Sequence, residues 1–189
     1  VYAGIAPVSV GGDSIGGSII AETAEPVFAA PGQGSLVRGE AGAFYRSNGN
    51  ARGANLSATY ATESFSISYT GATAQSDNYE AGGNFKERLF GAGNDPAFTG
   101  RPGHALSRDE VGSTAYETRN HTLGVAFRGG SHLIEANLGF QDMPEQLWPN
   151  QRMDMLDNVQ QRLNLRYRGV FGWGTLEARA WREDVEHFM

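Results

Sequence analysis

Apolar and polar residues alternate along Asn55 to Ala74. Leu56, Ala58 and Tyr60 share one parity, and Asn55, Ser57 and Thr59 the other. After a polar break at Thr62-Glu63-Ser64, Phe65, Ile67 and Tyr69 alternate with Ser66, Ser68 and Thr70. Successive strand side chains point to opposite faces, so each run has one apolar and one polar face. Two such runs joined by so short a break predict an antiparallel hairpin.

The same device recurs along the chain. Val37, Ala41, Ala43 and Tyr45 alternate with Arg38, Glu40, Phe44 and Arg46. Leu123, Val125 and Phe127 alternate with Thr122 and Arg128, and Gly129-Gly130-Ser131 predicts a turn. Ile134, Ala136, Leu138 and Phe140 follow, with Glu135 and Asn137 between them. Leu163, Leu165 and Tyr167 alternate with Arg162, Asn164, Arg166 and Arg168, and the spacing predicts a turn over Gly169-Val170-Phe171-Gly172. Leu176, Ala178 and Ala180 alternate with Glu177 and Arg179.

These runs predict about seven strands. The second, fourth and sixth connections are short. The first (Ser47 to Gly53), third (Gln75 to about Glu117) and fifth (Gln141 to Gln160) read as longer polar loops. Short turns then lie at one end of the sheet and loops at the other. A membrane β-barrel has this asymmetry.

A soluble β-sandwich or adhesin-type binding module also alternates, burying its apolar faces between two sheets. Three features favour lipid. The polar faces are crowded with charge. The apolar faces are rich in Ala and Gly, thin for a sandwich core. Tyr45, Tyr60, Phe65, Phe127, Phe140, Tyr167, Trp173 and Trp181 recur near expected strand ends, as in interfacial girdles. One Arg facing lipid at mid-bilayer costs about 2–4 kcal/mol, so Arg162, Arg166 and Arg168 would together cost on the order of 6–12 kcal/mol. On the barrel reading those arginines face the lumen. The acids Glu40, Glu135 and Glu177 then read as lumen partners for arginines such as Arg38, Arg168 and Arg179, and not as catalysts.

Composition narrows the choice. No apolar run approaches the roughly 18 residues of a spanning helix. Mean hydropathy is -0.40. The net charge of -6 argues against a nucleic-acid partner. With no cysteine among 189 residues, thiolate metal sites, disulfides and cysteine nucleophiles are excluded. The histidines are scattered, with no H-E-x-x-H, and no G-x-S-x-G occurs, so no enzyme is expected. Asn55-Leu56-Ser57 and Asn120-His121-Thr122 match a glycosylation sequon but fall on expected strands. The chain starts at Val1 without Met or a leader, and seven strands are too few to close a membrane barrel. It therefore reads as a fragment.

The opening segment differs. Ala6-Pro7-Val8-Ser9-Val10-Gly11-Gly12-Asp13-Ser14-Ile15-Gly16-Gly17-Ser18-Ile19-Ile20 is followed by Pro26 and Pro31-Gly32-Gln33-Gly34. A Gly-rich run, an apolar strand, a linker and then hairpins resembles a TonB-dependent outer-membrane receptor at the close of its plug domain. Val10 and Gly11 stand where that family usually has an aromatic residue. The resemblance implies an all-β fold: a fragment of a large antiparallel transmembrane β-barrel, 22-stranded in the family, with the tail of an N-terminal plug. Residues 1–25 would be the plug's C-terminal end, 26–34 a linker, and 35–189 the first barrel strands with their external loops. It implies import of a scarce nutrient across a bacterial outer membrane, with outer-membrane lipid around the barrel and TonB as periplasmic partner.

Leu147-Trp148-Pro149-Asn150-Gln151-Arg152-Met153-Asp154-Met155 is similar to a Met-rich loop of the copper-receptor branch of that family. Thioether sulfur is a soft ligand suited to Cu(I). Met153 and Met155, with His187 and Met189 in the next external loop, form a candidate metal set. Trp148 and Arg152 are the candidate ligand-facing residues of the loop. No resident cofactor is expected; copper or a ferric chelate would be the transported ligand. The competing reading of the methionines is packing against plug or neighbouring loops.

Overall fold

A computed structural model describes residues 2–4, 8, 16–18, 24–87, 98–99, 106–149 and 153–189. Its strands are β1 (Tyr2–Ala3), β2 (Gly17–Ser18), β3 (Ser35–Arg46), β4 (Ala51–Thr62), β5 (Phe65–Ser76), β6 (Phe98–Thr99), β7 (Leu106–Ser107), β8 (Tyr116–Gly129), β9 (His132–Gln146), β10 (Asp157–Phe171) and β11 (Gly174–Phe188). Seven of them form one antiparallel sheet in the order β11-β10-β9-β8-β5-β4-β3. Among the described residues β1 pairs only with β2, and β6 only with β7. The Gly-rich run from Gly11 to Ile15 lies outside the described residues.

Register carries one parity across all seven strands. Val37 stands opposite Tyr60, Tyr60 opposite Ile67 and Ile67 opposite Val125. Val125 faces Ala136, Ala136 faces Leu165 and Leu165 faces Ala180. Residues paired across a ladder share a face, so the expected apolar parities join into one continuous face. Leu138, Ile134 and Leu165 on it are 52%, 54% and 43% exposed. Nothing among the described residues covers that face with the second layer that a sandwich requires. A single layer has almost no interior; its few buried apolar residues include Ala29, Ala51, Ala61 and Ala126.

The apolar face is bounded at both ends. Toward the short turns, Phe65 packs on Phe127 with ring centroids 5.0 Å apart, and Phe171 stacks on Trp173 at 5.2 Å. There His132 Nδ1 lies 2.8 Å from the Tyr167 hydroxyl. At the other end the Tyr69 hydroxyl lies 2.7 Å from His121 Nδ1, and His121 stacks on Phe140. Beyond them the same parity turns charged, with Arg119 on Asp142 at 2.8 Å. On the edge strand β11 charge begins sooner: Arg182, opposite Leu163, pairs with Asp184 at 2.8 Å. From His132 to Phe140 a strand rises about 27 Å. At the usual barrel tilt that is about 20 Å of height, near the roughly 25 Å apolar band of a membrane barrel.

Several expectations need correction. Trp181 does not belong to an interfacial girdle: it stands opposite Asn164, on the polar parity, well inside β11. Strands run further than alternation shows. β9 continues to Gln146 and β10 begins at Asp157, so the fifth connection is far shorter than Gln141 to Gln160. β10 reaches Phe171, which moves its turn to Gly172-Trp173. The first connection is only Ser47 to Asn50, because Ala51 already pairs with Arg46. Its tightness has a local cause. Gly49 has φ +70°, and a Cβ there would lie 2.7 Å from Ser76 Oγ and 2.8 Å from Asp77 O. Only glycine suits both conditions. The length asymmetry therefore rests on the third and fifth connections, against the turns Glu63-Ser64, Gly130-Ser131 and Gly172-Trp173.

Candidate functional site

The polar parity gathers ionised groups at mid-sheet. Glu135 on β9 and Glu177 on β11 flank Arg166 on β10, and alternation alone places all three on one face. Arg166 Nη1 donates to Glu135 at 3.1 Å and to Glu25, in the segment before the sheet, at 3.1 Å. Its Nη2 lies 3.5 Å from Glu177, and Arg179 Nε donates to Glu177 at 2.6 Å. Arg166, rather than Arg168, is therefore the partner of Glu135. Glu135 is 7% exposed. Removing a carboxylate from water to that degree is tolerable only beside a hydrogen-bonded cation. Glu25, Glu135, Arg166, Arg179 and Trp181 line one groove on this face. Trp181 was legible as a member, since it shares the odd parity of Glu177 and Arg179. Glu25 was not: it meets Arg166 across 141 positions of sequence.

At the loop end, hydrogen bonds stitch the connections into one layer. Asn48 Nδ2 donates to Glu80 O at 2.7 Å, and Asn48 Oδ1 accepts the Glu80 N–H at 2.7 Å. Asn78 Oδ1 accepts the N–H groups of Thr114 (2.9 Å) and Ala115 (3.1 Å), while its amide donates to Glu110. The long third connection thus folds back on itself. Within it the Ser107 hydroxyl donates to Asp109 at 2.7 Å, and chiefly that bond holds the Asp109 carboxyl below its ordinary range. Ser113 Oγ donates to Asp154 Oδ2 at 3.0 Å, and Asp154 Oδ1 accepts the Trp148 N–H at 2.9 Å. Asp154 therefore ties the third connection to the fifth. Neither Asn78 nor Asp154 stood out in the sequence, because isolated polar loop residues carry no periodic signal.

Of the candidate metal residues, Met155 lies by its backbone near the end of β11, where His187 and Met189 stand. Met155 exchanges both backbone hydrogen bonds with Gln146, at 2.9 and 3.0 Å, and is 8% exposed. The Leu156 N–H donates to Phe188 O at 2.9 Å. That bond brings the Met155-Leu156 backbone beside Phe188 and so beside His187 and Met189. Met153 and Met189 are 56% and 44% exposed. Trp148 is exposed in the same connection. Arg152 lies outside the described residues. Among the described residues no group of three or more His, Asp or Glu is placed to hold a metal ion. A metal held at this corner would depend on the thioethers.

No family model and no curated protein sequence matches the chain. A solved structure does: the copper transporter OprC, at a TM-score of 0.66 and 19% sequence identity. The match covers 92% of this chain and 23% of that one, so the chain spans under a quarter of the transporter's length. At that identity the likeness shows the fold. The all-β barrel-segment architecture implied by the TonB-dependent-receptor resemblance is borne out.

Proposed function

We propose that the chain is part of a TonB-dependent outer-membrane transporter of a bacterium. In this reading residues 1–25 close the plug, 26–34 link it to the wall, and 35–189 supply the first barrel strands. Outer-membrane lipid surrounds the apolar face, TonB is the periplasmic partner, and a scarce metal or metal chelate is the cargo. The supporting observation is the two-faced sheet: one largely apolar face running across seven strands and left bare, with the Glu135, Arg166, Glu177 and Arg179 cluster on the other. An open sheet edge is not viable in hydrocarbon, so further strands of the same barrel would pair with β3 and β11.

Copper is the cargo this corner of the protein suits best. Met153, Met155, His187 and Met189 supply soft thioether and imidazole donors, and a fold neighbour is a copper transporter. An oxygen-ligated ferric chelate would use Trp148 and Arg152 instead, as contacts to its organic shell. Cu(I) titration of the complete protein against a competing chelator separates the two. Met153→Ala with Met155→Ala should weaken Cu(I) binding at least about tenfold, since even outer-shell changes at metal sites cost on that order. Unchanged affinity in the double variant would remove the copper assignment. It would leave the transporter reading to be judged by a heat-shifted band on detergent gels.

A further inference from the structure

The segment from Glu25 to Gly32 is held against the sheet in two chemically different ways. Around Ala29 the hold is dense. The Ala29 N–H donates to Thr62 O at 3.0 Å, and Ala29 O accepts from Arg128 Nη2 at 3.2 Å. The same guanidinium donates from Nε to Glu63 O at 2.6 Å and sits 4.3 Å from the Phe28 ring centroid. The Arg128 N–H donates to Ser64 O at 2.9 Å, and the Gly32 N–H donates to the Glu63 carboxylate. Arg128 of β8 thus ties the segment and the β4–β5 turn into one knot at the short-turn end. Ala29 is 1% exposed. Ala29 N–H to Thr62 O is a backbone pair that neither titrates nor dissociates in salt, and the two Arg128 side-chain bonds end on neutral carbonyls, not on a counter-charge.

Around Glu25 the hold is thin. Its side chain is 66% exposed, and its polar partner is Arg166. An ion pair with one partner in water is weak and is screened by salt. Arg166 also keeps Glu135 and Glu177 when Glu25 leaves, so release strands no charge. Pro26 lies between the two holds. Its ring fixes its own φ and biases Glu25 toward extended backbone, so the strap between latch and knot is stiff.

We propose that Phe28 to Gly32 is a permanent anchor and that Glu25 on Arg166 is a releasable latch. Release of Glu25 then leaves the contacts from Phe28 to Gly32, and the sheet behind them, in place. The inference stands on these contacts and not on transport or on copper.

Nitroxide labels test it in the complete protein in bilayers. One label replaces Ala24 and, in a second sample, one replaces Ala30; both positions are exposed. At about 1 M salt, where the Debye length is about 3 Å, the mobile-to-immobile ratio at position 24 should rise about two- to fivefold, the range such an ion pair supports. Glu25→Gln should do the same at low salt. Position 30 should respond to neither. Arg128→Lys, which cannot reach both carbonyls and the ring at once, should mobilise position 30. Salt that mobilises both positions together, or neither, would overturn the division into latch and anchor. The salt arm needs no altered wall residue, so a variant that fails to fold does not block the test. Loss of copper binding with an intact latch, or the reverse, tells the two proposals apart.

Discussion

Leu165→Arg should destabilise the complete protein in a bilayer by about 2–4 kcal/mol, the cost of a guanidinium at mid-membrane on a lipid-facing strand. Leu165 lies between Ala136 and Ala180 in the register, near the middle of the band bounded by the two His–Tyr pairs. Its neighbour Asn164 points to the ionised face. Asn164→Arg should therefore stay within about 0.5 kcal/mol, as exposed substitutions usually do. Urea unfolding in lipid vesicles reads both values. Equal costs for the two variants would mean that the parity does not separate lipid from lumen.

Arg166→Met should cost on the order of 3 kcal/mol, because it leaves Glu135 buried without its cation. Glu25 and Glu177 lose a partner too, but both are exposed enough for water to replace it. The cost belongs to Glu135, which makes a double variant informative. Arg166→Met with Glu135→Leu removes cation and carboxylate together and should recover most of the loss, as apolar replacement of buried pairs does elsewhere. The same urea titration measures it. A double variant no more stable than the single would place the cost in packing of the Arg166 stem instead.

The legible part of this fold was the part with two unlike faces. Where one parity is apolar and the other polar, as from Leu163 to Arg168, alternation gave strand, face and neighbours together. Strand length was hidden because the strands outrun the apolar band. Fifteen residues of β9 or β10 reach about 50 Å, which at the usual barrel tilt is about 38 Å of height, about one and a half times that of the band. Past it, at Gln141 to Gln146 and Asp157 to Gln160, most positions on both faces are polar and the few apolar ones, Met143, Pro144 and Val159, make no alternation. Such segments read as loop although their backbones remain paired.

The site was legible in pieces. Arg166, Glu135 and Glu177 share a face by parity, but the choice of Arg166 over Arg168 depends on side-chain reach. Trp181 was misplaced because an aromatic near an expected strand end suggested a girdle, when its odd number already grouped it with Arg179. That the backbone next to Met155 lies beside Phe188 follows from a bond between Leu156 and Phe188 that no local pattern announces. The anchor at Ala29 joins residues 99 apart, through Arg128. Contacts of that range come from the order of the strands in the sheet and not from any neighbouring run of sequence.

Single nitroxides placed in turn from Arg162 to Arg168, in the complete protein reconstituted in lipid, measure the two faces directly. Labels at 163, 165 and 167 should collide with membrane-dissolved oxygen. Labels at 162, 164, 166 and 168 should be shielded from it, so that oxygen accessibility oscillates with a period of two. A flat profile, or one in which 163, 165 and 167 are reached best by a water-soluble nickel chelate, would contradict a lipid-facing apolar wall.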